Sequence, residues 1–140
     1  MAFNKTVTNV NDSVLSHFTT AWNNLTPITY DNIDHQINYT GDWIRISNRI
    51  TNVDVSALGQ VNFRPTGVIF MQLFTVAGNS TSNNNVYLDR LFDSMSQVQI
   101  EDYITLRQIE INGYSQGQDT NGVYYQTNLS TQFYYDVYRT

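Results

Sequence analysis

The sequence predicts a single α+β domain spanning residues 1–140: a largely antiparallel β-sheet with two helices packed on one face and a long projecting β-hairpin. Three patterns carry that expectation. Val7, Val10, Val14, Phe18 and Trp22 recur every three or four residues, as do Leu88, Leu91, Phe92 and Met95, which is the spacing of a buried helical stripe. Residues 68–76 are apolar in both alternating sets, which marks a central strand covered on both sides. From Val123 to Tyr138 apolar and polar residues alternate through eight consecutive pairs, which marks a long half-buried strand.

In chain order, the first helix starts near Thr6. Its Thr and Asn residues are poor helix formers, so packing must hold it. Pro27 ends it and directs the chain into a short strand, 28–33, followed by a loop through Gly41. Residues 43–57 alternate apolar and polar, turn at Leu58-Gly59-Gln60, and return through Val61 and Phe63 into the central strand. Gly59 supplies the positive φ that such a loop needs. Residues 79–85, Asn-Ser-Thr-Ser-Asn-Asn-Asn, read as a polar loop that ends by capping the second helix. After Met95, Ile104 and Leu106 share one phase while Ile109 and Ile111 share the other, so a bulge or kink is expected at Arg107-Gln108. Residues 113–122 read as a turn-rich loop before the last strand. Phe70, Phe74, Leu91, Phe92 and Phe133 are expected to be buried together.

Composition narrows the function classes. Hydrophobic residues make up 41% and charged residues 14%, which excludes a disordered tail. The net charge of −5 argues against nucleic acid as a main partner, because phosphate binding needs clustered Lys and Arg. There is no cysteine, so neither disulfides nor thiolate chemistry is available. No apolar run approaches membrane-spanning length, and residues 1–25 carry no signal-peptide core.

Side chains able to do chemistry are few. Asp31, Asp34 and His35 carry two carboxylates and an imidazole, but at a spacing that matches no metal loop, so a polar loop is the better reading. Ser13, Ser16 and His17 lie close together on the first helix, and neither serine sits on a strand-to-helix turn that would expose a nucleophile. Glu101-Asp102 and Glu110 are the one conceivable acid/base pair, and charges blunting a sheet edge account for them equally well. Gly78-Asn79-Ser80 lacks the Gly-Lys-Ser/Thr ending of a phosphate loop. No enzyme, cofactor or metal is expected. Of the ten tyrosines, Tyr124, Tyr134 and Tyr138 fall in the outward phase of the last strand, where they would either stack on a sugar or protein partner or pack within the sheet.

The order of these motifs resembles one family. A long N-terminal helix ends before Ile28-Thr29-Tyr30-Asp31-Asn32-Ile33. Then come Arg64-x-x-Gly67, Gln72-Leu73-Phe74, a loop with Gly78, a helix with Leu88-x-x-Leu91-Phe92, and Thr131-Gln132-Phe133-Tyr134-Tyr135. Over nearly the whole chain this is similar to the small tail terminator proteins of long-tailed bacteriophages. The resemblance implies a structural virion protein of the tail or neck, assembled in the host cytoplasm. It implies a ring, usually of six copies, that caps the tail tube protein and meets the head-tail connector protein, with no catalytic residues. The low charge, the Asn-rich loop and the long hairpin depart from the family's common pattern. Another phage neck or tail-tube component, or a small β-rich glycan-binding module, are the alternatives.

The hairpin supplies the expected subunit contact. With the loop at residues 58–60, Ala57 pairs with Val61, Val55 with Phe63, and Ile46 with Gln72. Near the base one face carries Ile44, Ile46, Ile50, Val68, Phe70 and Phe74. Beyond Asn52 the apolar set changes sides, to Val53, Val55, Ala57, Val61 and Phe63. An apolar face on a projecting tip has no core of its own to enter, so these five residues are the candidate interface with an adjacent subunit. A tip curled back onto its own sheet at Pro65 is the competing arrangement.

Overall fold

The computed structural model describes residues 4–30, 41–55, 62–76, 81–119 and 122–138. Helix α1 spans Val7–Trp22 and α2 spans Thr81–Met95. The strands are β1 (Ile28–Tyr30), β2 (Trp43–Val55), β3 (Asn62–Val76), β4 (Gln99–Ile100), β5 (Ile104–Leu106), β6 (Glu110–Asp119), β7 (Gly122–Tyr135) and β8 (Val137–Tyr138). They form one sheet in the order β1-β2-β3-β7-β5-β4, with β6 paired to β7 and β8 to β3. Every pairing is antiparallel except β1 with β2, which is parallel. The α+β architecture and its mostly antiparallel sheet are as the sequence implies.

Local chemistry explains where the elements begin and end. Thr6 is the N-cap of α1, its Oγ1 accepting from the Asn9 N–H at 3.0 Å. Asn23 adopts the left-handed conformation at the C-cap and donates to the Thr19 carbonyl. The last carbonyls of α1 also accept from α2: Arg90 Nη1 lies 2.9 Å from the Ala21 oxygen and 3.3 Å from that of Trp22. Val10, Val14, Phe18 and Trp22 are buried on the sheet, where they meet Ile44, Ile46, Ile69, Met71, Leu73, Leu129 and Phe133, with Leu91 and Met95 from α2 in the same cluster.

The order of elements holds, but three boundaries and one phase differ from expectation. Residues 81–85 belong to α2, not to a loop: the run of Thr, Ser and Asn forms the first turn of the helix whose later residues Leu91 and Met95 are buried in the core. Residues 113–119 are strand, because β6 stays paired to β7 as far as Asp119 opposite Gly122. The slip at Arg107-Gln108 is a gap between two strands on the same edge of β7, held by the Arg107 N–H donating to the Gln132 carbonyl and Thr131 Oγ1 donating to the Arg107 carbonyl.

The phase difference comes from a β-bulge. Val55 pairs with Phe63 as expected, but between Asn52 and Ile50 the register shifts, so Ile46 lies opposite Met71 and not Gln72. Thr51 is the extra residue. Ile69, Met71 and Leu73 therefore face the helices, while Val68, Phe70 and Gln72 turn to the open side of the sheet. Of the five aromatic and aliphatic residues expected in one cluster, Leu91 and Phe133 are in the core. Phe70 is 41% exposed and Phe92 is 39% exposed. Phe74 is buried on the open side, its ring stacked on Trp43 at 3.8 Å and 9°. The other two of the five thus lie outside the core for distinct reasons: Phe70 by the register, Phe92 by falling beside the buried Leu91–Met95 stripe of its helix.

Candidate functional site

The hydroxyl, imidazole and carboxylate groups of α1 and the β4–β5 turn are near one another but form two separate structural bonds. Ser13 Oγ donates to Glu101 Oε2 at 2.8 Å. His17 Nε2 lies 2.9 Å from the Ser94 carbonyl, which can only accept, so that nitrogen carries the proton and ties α1 to the end of α2. Ser16 is exposed. A shallow cavity of about 270 Å³ lies over these groups, lined also by Thr20, Gln99 and Ile100. Glu101 and Asp102 hold positive φ angles of 52° and 66°, so they are turn residues and not edge charges within a strand. Glu110 lies opposite Ser130, on the side of the sheet away from α1, so the structure separates the two glutamates. Asp31, Asp34 and His35 lie outside the described residues. Among the described residues no three His, Cys, Asp or Glu side chains group as metal ligands.

The open side of the sheet is polar and aromatic. Arg45 sits over the Trp43 and Phe74 rings at 5.5 and 5.8 Å. Tyr134 lies between Arg64 at 4.6 Å and Arg107 at 5.0 Å. Arg64 also makes a two-pronged bond to Asp136, at 2.8 and 3.0 Å, which holds that carboxyl below its usual range. Tyr124 packs edge-on against Phe74. Of the three outward tyrosines, two are thus engaged inside the fold and Tyr138 is exposed. A depression of about 560 Å³ on this side is lined by Arg45, Arg49, Phe70, Gln72, Asn112 and Asn128, among others. At the end of the sheet, buried Asp42 accepts from the Val76 N–H at 2.9 Å and from the Tyr87 hydroxyl at 2.6 Å. Burial, and then this bond, push the Tyr87 hydroxyl up to about 12.

The hairpin residues fare unequally. Val53 is 54% exposed, and Phe63 is half-buried against the core beside Val137. Val55 continues the ladder opposite Phe63, while Ala57 and Val61 lie outside the described residues. Because the bulge reverses the alternation, Val53 lies opposite buried Pro65 and so on the helix side of the sheet. There it borders a groove of about 300 Å³ lined by Lys5, Thr6, Val7, Ile50, Pro65, Tyr135 and Val137, an almost wholly apolar surface. Val7, at the start of α1, is 58% exposed on its rim. Lys5, whose Nζ sits 4.5 Å over the Tyr103 ring, is the groove's charged group.

Sequence reasoning missed a second uncovered apolar corner. Ile111, Tyr114 and Tyr125 are exposed at the other end of the sheet. The signal was present in the phase change between Ile111 and Tyr114, but the run of glycines there reads as a loop.

No protein-family model and no curated protein matches this sequence. Among solved structures, one of a protein of no stated function overlays on 92% of this chain and 96% of its own at 19% identity, with a TM-score of 0.47. A likeness that distant carries no argument about what the chain does.

Proposed function

We propose that this chain is a structural subunit that assembles with copies of itself into a ring, in the manner of a phage tail terminator that caps the tail tube and meets the head connector. The observation that carries this reading is the apolar groove at the bulged hairpin. A domain with a closed core still leaves Val7 and Val53 exposed around a concave apolar surface, which is how a contact surface looks before its partner is present. The α+β architecture is compatible with the family that the order of motifs resembles. Native mass spectrometry with negative-stain electron microscopy of the purified protein tests the reading. A closed ring of one size, six copies by the family expectation, supports it; open-ended tubes point to a tail-tube component instead.

A glycan-binding reading draws on one observation, the depression on the open side where exposed Phe70 lies beside Arg45, Gln72 and Asn128. An aromatic face flanked by amide and guanidinium groups suits a sugar. Binding on a glycan array by a monomeric protein, abolished by Phe70→Ala, would favour it over the ring.

A further inference from the structure

The sheet face turned away from the helices collects positive charge in a chain whose net charge is −5. Arg45, Arg49, Arg64 and Arg107, four of the chain's six arginines, are on it. Arg64 is taken up by its two-pronged bond to Asp136. Arg45 and Arg49 instead border the depression of about 560 Å³, and no Asp or Glu is among the described residues that line it. The two lie four positions apart on β2, about 13 Å at roughly 3.3 Å per residue. Arg45 is opposite Gln72 and Arg49 is opposite Val68, so Phe70, opposite Ser47, stands midway between them. Glu110 is on the same face, but it is reached from Phe70 through Ser130, two strand spacings or roughly 10 Å away.

Phe70 is exposed at that midpoint and offers a flat apolar face. A sugar ring stacks its C–H face on such a surface while its hydroxyls bond to amides, here those of Gln72, Asn112 and Asn128. A carboxylate on the sugar is the group that a guanidinium grips through two parallel N–H···O bonds. Arg45 is already held in place over the Trp43 and Phe74 rings, with Nη1 3.4 Å from Gln72 Oε1, so it loses little side-chain freedom on binding. We propose that the depression is a site for an acidic saccharide, an oligosaccharide bearing uronic or sialic acid, stacked on Phe70 with its carboxylate on Arg45 or Arg49. The inference rests on the glycan-binding reading above, not on the ring, and names the class of sugar. A neutral sugar would make no use of the two guanidiniums, and a nucleic acid would need a longer basic track than they provide.

Methyl esters of the same sugars supply the control, because they remove the charge and keep the ring. Trigalacturonate, sialyllactose and the methyl ester of each are titrated calorimetrically against the purified full chain. At least one acid is expected to bind about tenfold or more tightly than its ester. Arg49→Gln, at an exposed position, and Arg45→Gln should bring the acid toward the affinity of its ester, and Phe70→Ala should weaken both, with circular dichroism checking that each variant folds. Equal affinity for acid and ester would overturn the acidic assignment and leave the glycan-binding reading standing. An acid preference that survives both arginine changes would overturn the site. Binding of poly-glutamate as tight as that of the sugars, and unmoved by Phe70→Ala, would show a general anion patch and overturn the inference. Binding of none of the four sugars would also overturn it, and a glycan array then decides whether the broader reading falls with it.

Discussion

At Gly67 the second strand of the long hairpin passes between a backbone oxygen and an aromatic ring. A Cβ there would run into the Arg49 carbonyl and stand 2.5 Å from Phe133 Cζ. The carbonyl belongs to the strand ladder beside the bulge and has little room to yield. Gly67→Ala should therefore destabilise by about 1–3 kcal/mol, the usual range for overpacking, as a lower denaturant midpoint at unchanged slope. The Asp42–Tyr87 bond makes a second prediction at this scale. The folded-state pKa of Tyr87 is raised, to about 12, so its contribution to stability is fully present below the ordinary tyrosine value near 10 and is lost as pH rises toward 12. Thermal melts across that range should show a steeper alkaline loss for wild type than for Tyr87→Phe, which has no proton to release. Equal slopes would mean the bond is absent in solution.

Among the elements, β2 is the informative one, because its bulge decides which face each residue meets. In a regular strand Ile50 and Val53 would point to opposite sides; with Thr51 extra, both point to the helices. Removing Thr51 restores strict alternation without moving any other residue to the wrong face. The deletion loses the Thr51 hydroxyl bond to the Thr66 carbonyl, 3.3 Å long and exposed, so the cost should be within about 1 kcal/mol. Deleting Ser47 instead puts either Ile44 and Ile46 or Ile50 onto the open side, and that variant should fail to fold. Circular dichroism melts of the two deletions distinguish the outcomes. Similar melting curves for both would show that β2 is free to slip and that the bulge has no role in its register.

For the whole molecule, the helices close the middle of the sheet and leave exposed apolar side chains, Val53 and Tyr114 among them, at its ends. Of the five candidate interface residues, Val53 is the one that tests the proposed contact, since Phe63 packs against the core and an acid there would disturb the fold itself. Val53→Asp should stay folded, with near-wild-type ellipticity, and lower the assembled fraction in light scattering to that of a monomer. An unchanged ring would exclude the groove from the contact. The fold also pairs strands far apart in sequence: β3 meets β7 through partners such as Ile69 and Thr131. Loop closure must precede such pairing, so refolding in stopped flow should fall in the slow range of about milliseconds to seconds.

The sequence by itself determined the elements and their order, because a helical stripe such as Val10–Val14–Phe18–Trp22 and a long alternating strand are local periodicities. It also showed that the apolar set changes sides beyond Asn52. Only the tertiary structure decided what that change means. Periodicity reports a switch of phase but not whether the chain bulges or the face turns outward, and one residue of register separates Phe70 in the core from Phe70 on the open side. The parallel placement of β1, the extension of β6 through a glycine-containing stretch, and the helical start of α2 were likewise beyond local pattern. Each depends on a partner strand or helix that satisfies backbone groups the segment cannot satisfy alone. Of the two uncovered apolar corners, one was legible in the sequence and the other was not, for the same reason. Val53 announced itself by its phase, whereas Tyr114 and Tyr125 became neighbours only when β6 paired with β7 and brought residues from two strands onto one uncovered corner.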